Sequence, residues 1–183
     1  EFNDKINSCH KCQLGDARTK FVFGVGDPKA DLLLIGEAPG VDEDRLGEPF
    51  VGRAGKLLDK ILAAIHLNRT KGVYICNVLK CRPPNNRDPL PSEVDQCEPY
   101  LQHQIRLIKP QLIVALGRVA GKTLLKQDIP LKAMREKIYH YEEIPLIVTY
   151  HPAALLRNSG FKAPTWKDFQ WIQSILDGKT NIG

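Results

Sequence analysis

Four short apolar runs recur along the chain: Leu32 to Ile35, Val73 to Val78, Leu112 to Leu116 and Leu146 to Tyr150. Apolar runs of this length, bounded by turn residues and lacking polar alternation, predict strands buried on both faces, as in a parallel sheet. Between the first two, Leu57, Leu58, Ile61, Leu62 and Ile65 repeat at helical spacing. Between the second and third, Val94, Cys97, Leu101, Ile105 and Ile108 do the same. Ser92 is the predicted N-cap there, and Pro99 is predicted to kink this helix or delay its start to near Cys97. Further helices are predicted around Val119 to Leu125 and from Trp166 to Leu176. Strands alternating with helices predict right-handed βαβ units, and one α/β domain over residues 1–183 with helices on both faces of the sheet.

The chemistry lies in the segment after each strand. In an open parallel sheet the carboxyl ends share one edge, and ligands bind outside it. The first strand leads into Gly36-Glu37-Ala38-Pro39-Gly40, the second ends at Asn77, the third meets Gly117-Arg118, and the fourth runs into His151-Pro152. Glu37, Asn77 and His151 are therefore expected to share a crevice. The Asn77 amide is both donor and acceptor, the complement of a pyrimidine's N3–H and O4 edge. Phe50, inside a Gly/Pro-rich loop, can offer its ring for stacking. The Leu155-Leu156-Arg157 segment has two readings: an apolar wedge between stacked bases, or the start of a helix facing the core. Gly117 to Thr123 is one residue too short for a phosphate-binding loop, and no strand ends in an aspartate suited to magnesium, which argues against a nucleoside triphosphatase.

Composition narrows the partners. At 183 residues and 43% hydrophobic, the chain can bury one core. No apolar run approaches the ~20 residues that span a bilayer, and no secretory segment is visible. A cytoplasmic protein without membrane attachment is expected, with Glu1-Phe2 set aside from fold reasoning. A net charge of +5 suits a polyanion. Cys9 and Cys12 form a Cys-x-x-Cys in a short polar segment with no core to fill, whereas Cys76 sits in an apolar run as a buried thiol would. Cys81 and Cys97 form a second, wider pair, so a metal or iron–sulfur site using four of the five cysteines is expected. The spacing is not that of a compact zinc ribbon, and such a site would tie the N-terminus to the middle of the chain.

Taken together, Gly36-Glu37-Ala38-Pro39-Gly40, Gly47-x-Pro49-Phe50-Val51-Gly52-x-Ala54-Gly55, Asn77-Val78-Leu79-Lys80-Cys81-Arg82-Pro83-Pro84 and His151-Pro152-Ala153-Ala154-Leu155-Leu156-Arg157 resemble the family-4 uracil-DNA glycosylases. The resemblance runs from Cys9 to the last helix. It implies a three-layer α/β/α sandwich with a central four-stranded parallel sheet and a 4Fe–4S cluster on Cys9, Cys12, Cys81 and Cys97. It further implies a monomer that flips uracil from single- or double-stranded DNA and hydrolyses its N-glycosidic bond. By the same resemblance Gly36, Ala38 and Gly40 line the substrate site, Phe50 stacks on the base, Asn77 bonds its edge and His151 stabilises charge at uracil O2. Glu43 matches a position associated with excluding thymine's methyl group, and Leu155, Leu156 and Arg157 match a duplex-probing loop. Better-known uracil glycosylases have an aspartate where this chain has Ala38, which leaves Glu37 as the nearest carboxylate for activating water. Ala38 also keeps open a rival reading, a DNA-binding module without turnover. The Arg82 to Asp88 segment lacks the histidine-bearing insertion of irreversible uracil-DNA binders, which argues for turnover. No lysine stands as an obvious Schiff-base nucleophile, so an abasic product without strand cleavage is expected. The cluster is expected to serve structure, its ligands lying outside the pocket set.

Overall fold

The computed structural model describes residues 1–182. The four apolar runs become β2 (Leu32–Gly36), β3 (Val73–Asn77), β4 (Leu112–Leu116) and β6 (Ile144–Thr149), after a two-residue strand β1 (Val25–Gly26), with β5 (Tyr139–Tyr141) preceding β6. The sheet has six strands in the order β1-β3-β2-β4-β6-β5. The four anticipated strands are its parallel centre, and the two short edge strands run antiparallel. Two or three residues are too few to show a period, so the hydrophobic pattern carries no sign of the edges.

Alternation along each central strand builds the layers. Leu33, Ile35, Ile113, Ala115, Leu146 and Val148 face one side, packing with Val94, Leu101 and Ile105 of α5 (Pro91–Ile108), Ala120 and Leu124 of α6 (Arg118–Leu125) and Met134 of α7 (Leu131–Met134). Leu32, Leu34, Leu112, Val114 and Ile147 face the other, against Leu58 and Leu62 of α4 (Arg53–Ala64) and Phe169, Ile172 and Ile175 of α9 (Lys162–Leu176). Both faces are covered, which is why the runs lack polar positions.

Two expectations about α5 are corrected. It starts at Pro91, with the Glu93 carboxylate accepting from the Leu90 amide at 2.9 Å, so Ser92 lies inside its first turn. It also begins well before Cys97 and continues past Pro99, so the delayed start is overturned. Pro99 is exposed, so water can meet the carbonyl that its missing N–H leaves over. The start of the chain is part of the fold as well. Phe2, in α1 (Phe2–Ile6), packs on His103 at a centroid distance of 4.2 Å and on Phe23 at 5.6 Å. The remaining short helices, α2 (Leu14–Ala17), α3 (Val41–Leu46) and α8 (Pro152–Arg157), carry connections. Helix α4 packs on one face after β2 and α6 on the other after β4, which opens a crevice at the carboxyl edge between neighbouring strands.

Candidate active site

A cavity of about 280 Å³ opens at that edge. Its lining brings together Glu37, Ala38, Gly40, Glu43, Phe50, Asn77 and His151. Gly36 and Asn77 are register partners on β2 and β3. A Cβ on Gly36 would stand 2.4 Å from Asn77 Oδ1 and 2.7 Å from Phe50 Cζ, so only glycine lets both side chains close on this strand end.

The Phe50 loop is held from behind. Phe50 itself adopts φ +53°, a left-handed conformation that a bulky residue takes only when its surroundings impose it. Arg69 donates to the carbonyls of Pro49, at 2.8 Å, and of Phe50, while its Nε meets Asp59 at 2.5 Å. Glu43 accepts from the amides of Val51 at 3.0 Å and Gly52 at 3.2 Å, which occupies one of its carboxylate oxygens within the loop. A Cβ on Gly55 would sit 1.7 Å from the Phe50 carbonyl oxygen. The result is a buried ring lying against the His151 imidazole, with centroids 5.3 Å apart and planes inclined by 29°.

His151 caps α8, its Nδ1 accepting from the Ala153 amide at 3.0 Å. An amide can only donate, so the proton of the neutral ring is on Nε2. Burial, with Arg157 nearby, pulls its pKa down to about 4. Among the described residues neither Nε2 nor the Asn77 side-chain amide has a protein hydrogen-bond partner, and both residues line the cavity. Glu37 is half-buried, and burial, reinforced by the Asp88 carboxylate, pushes its pKa up to about 7. The cavity thus combines a neutral donor, a bidentate amide, a carboxyl titrating near neutrality and an aromatic face.

Leu155 and Leu156 divide the two readings of their segment. Leu155 is 3% exposed and turns inward from α8, so burial removes it from any duplex-probing surface. Leu156 is 44% exposed and Arg157 is exposed beside it.

Cys9, Cys12, Cys81 and Cys97 line a second, small cavity, with Cys76 apart in β3. Three N–H donors and a hydroxyl aim at the sulfurs: Lys80 N on Cys97 at 3.3 Å, Arg18 Nη1 on Cys81 at 3.4 Å, Lys11 N on Cys9 at 3.5 Å, and the Tyr100 hydroxyl on Cys9 at 3.3 Å. Burial pushes the Cys81 thiol up to about 11, so a metal taking it as thiolate must displace its proton. Among the described residues no three His, Cys, Asp or Glu side chains are grouped to hold a metal ion. Zinc would draw four thiolates to ~2.3 Å around one point. Four thiols around one small cavity, three of them accepting from N–H or O–H donors, are the donor set that an iron–sulfur cluster takes.

The model of the Uracil DNA glycosylase superfamily matches residues 23–173. The chain belongs to that superfamily. It is 45% identical to a type-4 uracil-DNA glycosylase of Archaeoglobus fulgidus over 96% of this chain and 92% of the relative. Type-4 uracil-DNA glycosylases of Sulfurisphaera tokodaii and Thermotoga maritima are each 42% identical, over 96% and 85% of this chain and 83% and 82% of theirs.

In this superfamily member the cavity holds residues that the sequence motifs do not mark. Arg87 lines it, its guanidinium fixed by the buried Glu93 at 2.5 and 3.0 Å. Asn86 lines it too, at φ +53°, next to Asn85 at +54°. The Asn-Asn pair is a sequence signal for left-handed backbone. Arg69 carries no such signal, since its partners lie some twenty residues away.

Proposed function

We propose that this chain flips uracil out of DNA and hydrolyses the bond between N1 of the base and C1′ of the deoxyribose, leaving an abasic site and an uncut strand for base excision repair. The observation that carries the reading is the meeting, in one cavity, of an aromatic face, an amide and a neutral imidazole, the amide and the imidazole Nε2 having no hydrogen-bond partner among the described residues. Flipping the base costs a few kcal/mol, least in single strands. The Phe50 ring takes the flipped base on its face, and the Asn77 amide meets its N3–H and O4. As the glycosidic bond breaks, its electron pair passes to the base and the sugar becomes cation-like. His151 Nε2–H donates to the oxygen that gains this charge, O2, a contribution of about 3 kcal/mol for a donor so placed. Water attacks C1′, its oxygen forming the new bond and its proton passing to the Glu37 carboxylate. Glu37 titrates near neutrality, which keeps an appreciable fraction ionised at physiological pH.

Cys9, Cys12, Cys81 and Cys97 would hold a 4Fe–4S cluster that cross-links the N-terminal segment to α5 and supplies stability rather than chemistry. Uracil-containing DNA is the partner, single- or double-stranded, with Leu156 and Arg157 at its backbone and stack and the chain acting as a monomer. No helix of the described residues is long and apolar enough to cross a membrane. The test is incubation with uracil-containing single-stranded DNA, then alkali and a gel. Alkali-dependent cleavage at uracil supports the proposal, whereas retention of intact strands by a protein that binds them supports a module without turnover.

A further inference from the structure

Lys80 is 0% exposed. Its ammonium donates to the backbone carbonyl of Asn77 at 2.8 Å, its amide to Cys97 Sγ at 3.3 Å, and its carbonyl accepts from the Val22 amide at 2.8 Å. The buried carboxylates elsewhere are already engaged: Glu93 with Arg87, Glu98 with Lys126, Asp168 with Arg135, and Asp44 with the amides of Thr19 and Lys20. Burying an ammonium is costly, and an apolar side chain of similar volume would fill the same space without that cost. The polar head is therefore explained by what it touches. Strand β1 covers β3 only at Tyr74 and Ile75, so Asn77 has no strand on its outer side. On its inner side it pairs with Gly36, where β2 ends.

We infer that Lys80 is a positioning residue: it clamps the end of β3 so that the Asn77 amide stays aimed into the base cavity, and its amide fastens the same strand end to the thiol-bearing segment. The inference rests on the reading of Asn77 as the group that recognises the base. Asn77 has a side chain with no hydrogen-bond partner among the described residues and a carbonyl held by a long buried cation, whose charge is also felt by the Cys76 and Cys97 thiols. The N–H side of the peptide after Asn77 is held by Gly36, whose carbonyl accepts from the Val78 amide at 3.0 Å, and Lys80 holds its carbonyl side. Without that cation the strand end keeps one anchor of two, and the aim of the side chain loosens.

The test is a double-mutant cycle of Lys80→Met and Asn77→Ala, with Lys80→Gln as the variant that keeps a donor on a shorter stem. The readouts are single-turnover excision of uracil, affinity for the uracil-containing strand, iron per chain and thermal melting. Lys80→Met is expected to slow excision about ten- to a hundredfold, the worth of a hydrogen bond from a charged donor, while affinity and iron content stay near the parent values. Lys80→Gln is expected to recover part of that loss. In the Asn77→Ala background Lys80→Met is expected to add nothing, because no side chain remains to be aimed. If Asn77→Ala alone leaves excision unchanged, the recognition reading fails and this inference with it. If Asn77→Ala slows excision but Lys80→Met does not, or the two losses multiply, the positioning role alone is overturned. Loss of iron or of folding in both Lys80 variants would assign the residue to the framework and also overturn it.

Discussion

The base cavity and the thiol pocket meet on one segment, Asn77 to Cys81, yet they are built in opposite ways. Around the base cavity the protein's hydrogen bonds lie behind the working groups. They hold the Phe50 loop through Arg69 and Glu43 and hold His151 through its Nδ1, leaving the Asn77 amide and His151 Nε2 open. Around the thiols the donors point at the sulfurs themselves. A site that exchanges ligands must leave polar atoms unmet towards empty space and take its rigidity from the backbone. A site that retains its occupant can surround it with donors. The contrast predicts that damage in one region costs stability and damage in the other costs rate.

The largest effect is expected at the thiol pocket. Cys81→Ser removes one of the four ligands of the proposed cluster and should lose iron and visible absorbance together, with a fall in stability of more than about 4 kcal/mol. Melting curves and iron analysis read both, and a full-strength melt without iron would separate the pocket from the fold. Next is His151→Ala. Removing a donor aimed at developing charge should slow uracil excision about 100- to 1,000-fold, with iron content unchanged and stability lowered by only about 1 kcal/mol for the lost α8 cap. A third expectation sets neighbours on one helix apart. Leu155→Ala should cost about 2–5 kcal/mol as a core deletion, whereas Leu156→Ala should leave melting alone and lower excision from duplex more than from single strands. The smallest effect is in pH. With Glu37 acting as base, excision falls as pH drops through about 7, since its carboxyl then gains a proton, and no second fall comes from His151 until pH nears 4. Glu37→Gln should flatten that profile.

The same contrast explains which features are legible in the sequence. The central strands are readable because burial on both faces leaves uninterrupted apolar runs. Their ends come with them, which places Glu37, Asn77 and His151 on one edge from the strand pattern alone. The antiparallel edges are not readable, nor is a helix that tolerates Pro99 on its exposed side. Within the cavity the groups that would face a ligand carry recognisable motifs. Those working from behind do not, because their partners are main-chain atoms or distant side chains. Arg69 meets carbonyls near residue 50, Arg87 meets a glutamate fixed by its own helix start, and Lys80 disappears under the strand end. The position of Leu155 depends on the rotation of α8, since adjacent leucines on a short helix point in different directions.

The most direct measurement is single-turnover excision by Asn77→Asp on oligonucleotides carrying either uracil or cytosine at one position. A carboxylate lacks the donor that O4 needs, whereas it can accept from cytosine's N4–H2 and, once protonated, donate to cytosine's N3. The ratio of uracil to cytosine excision should fall at least about tenfold, with iron content unchanged. A ratio equal to that of the parent protein would contradict the claim that the end of β3 reads the base.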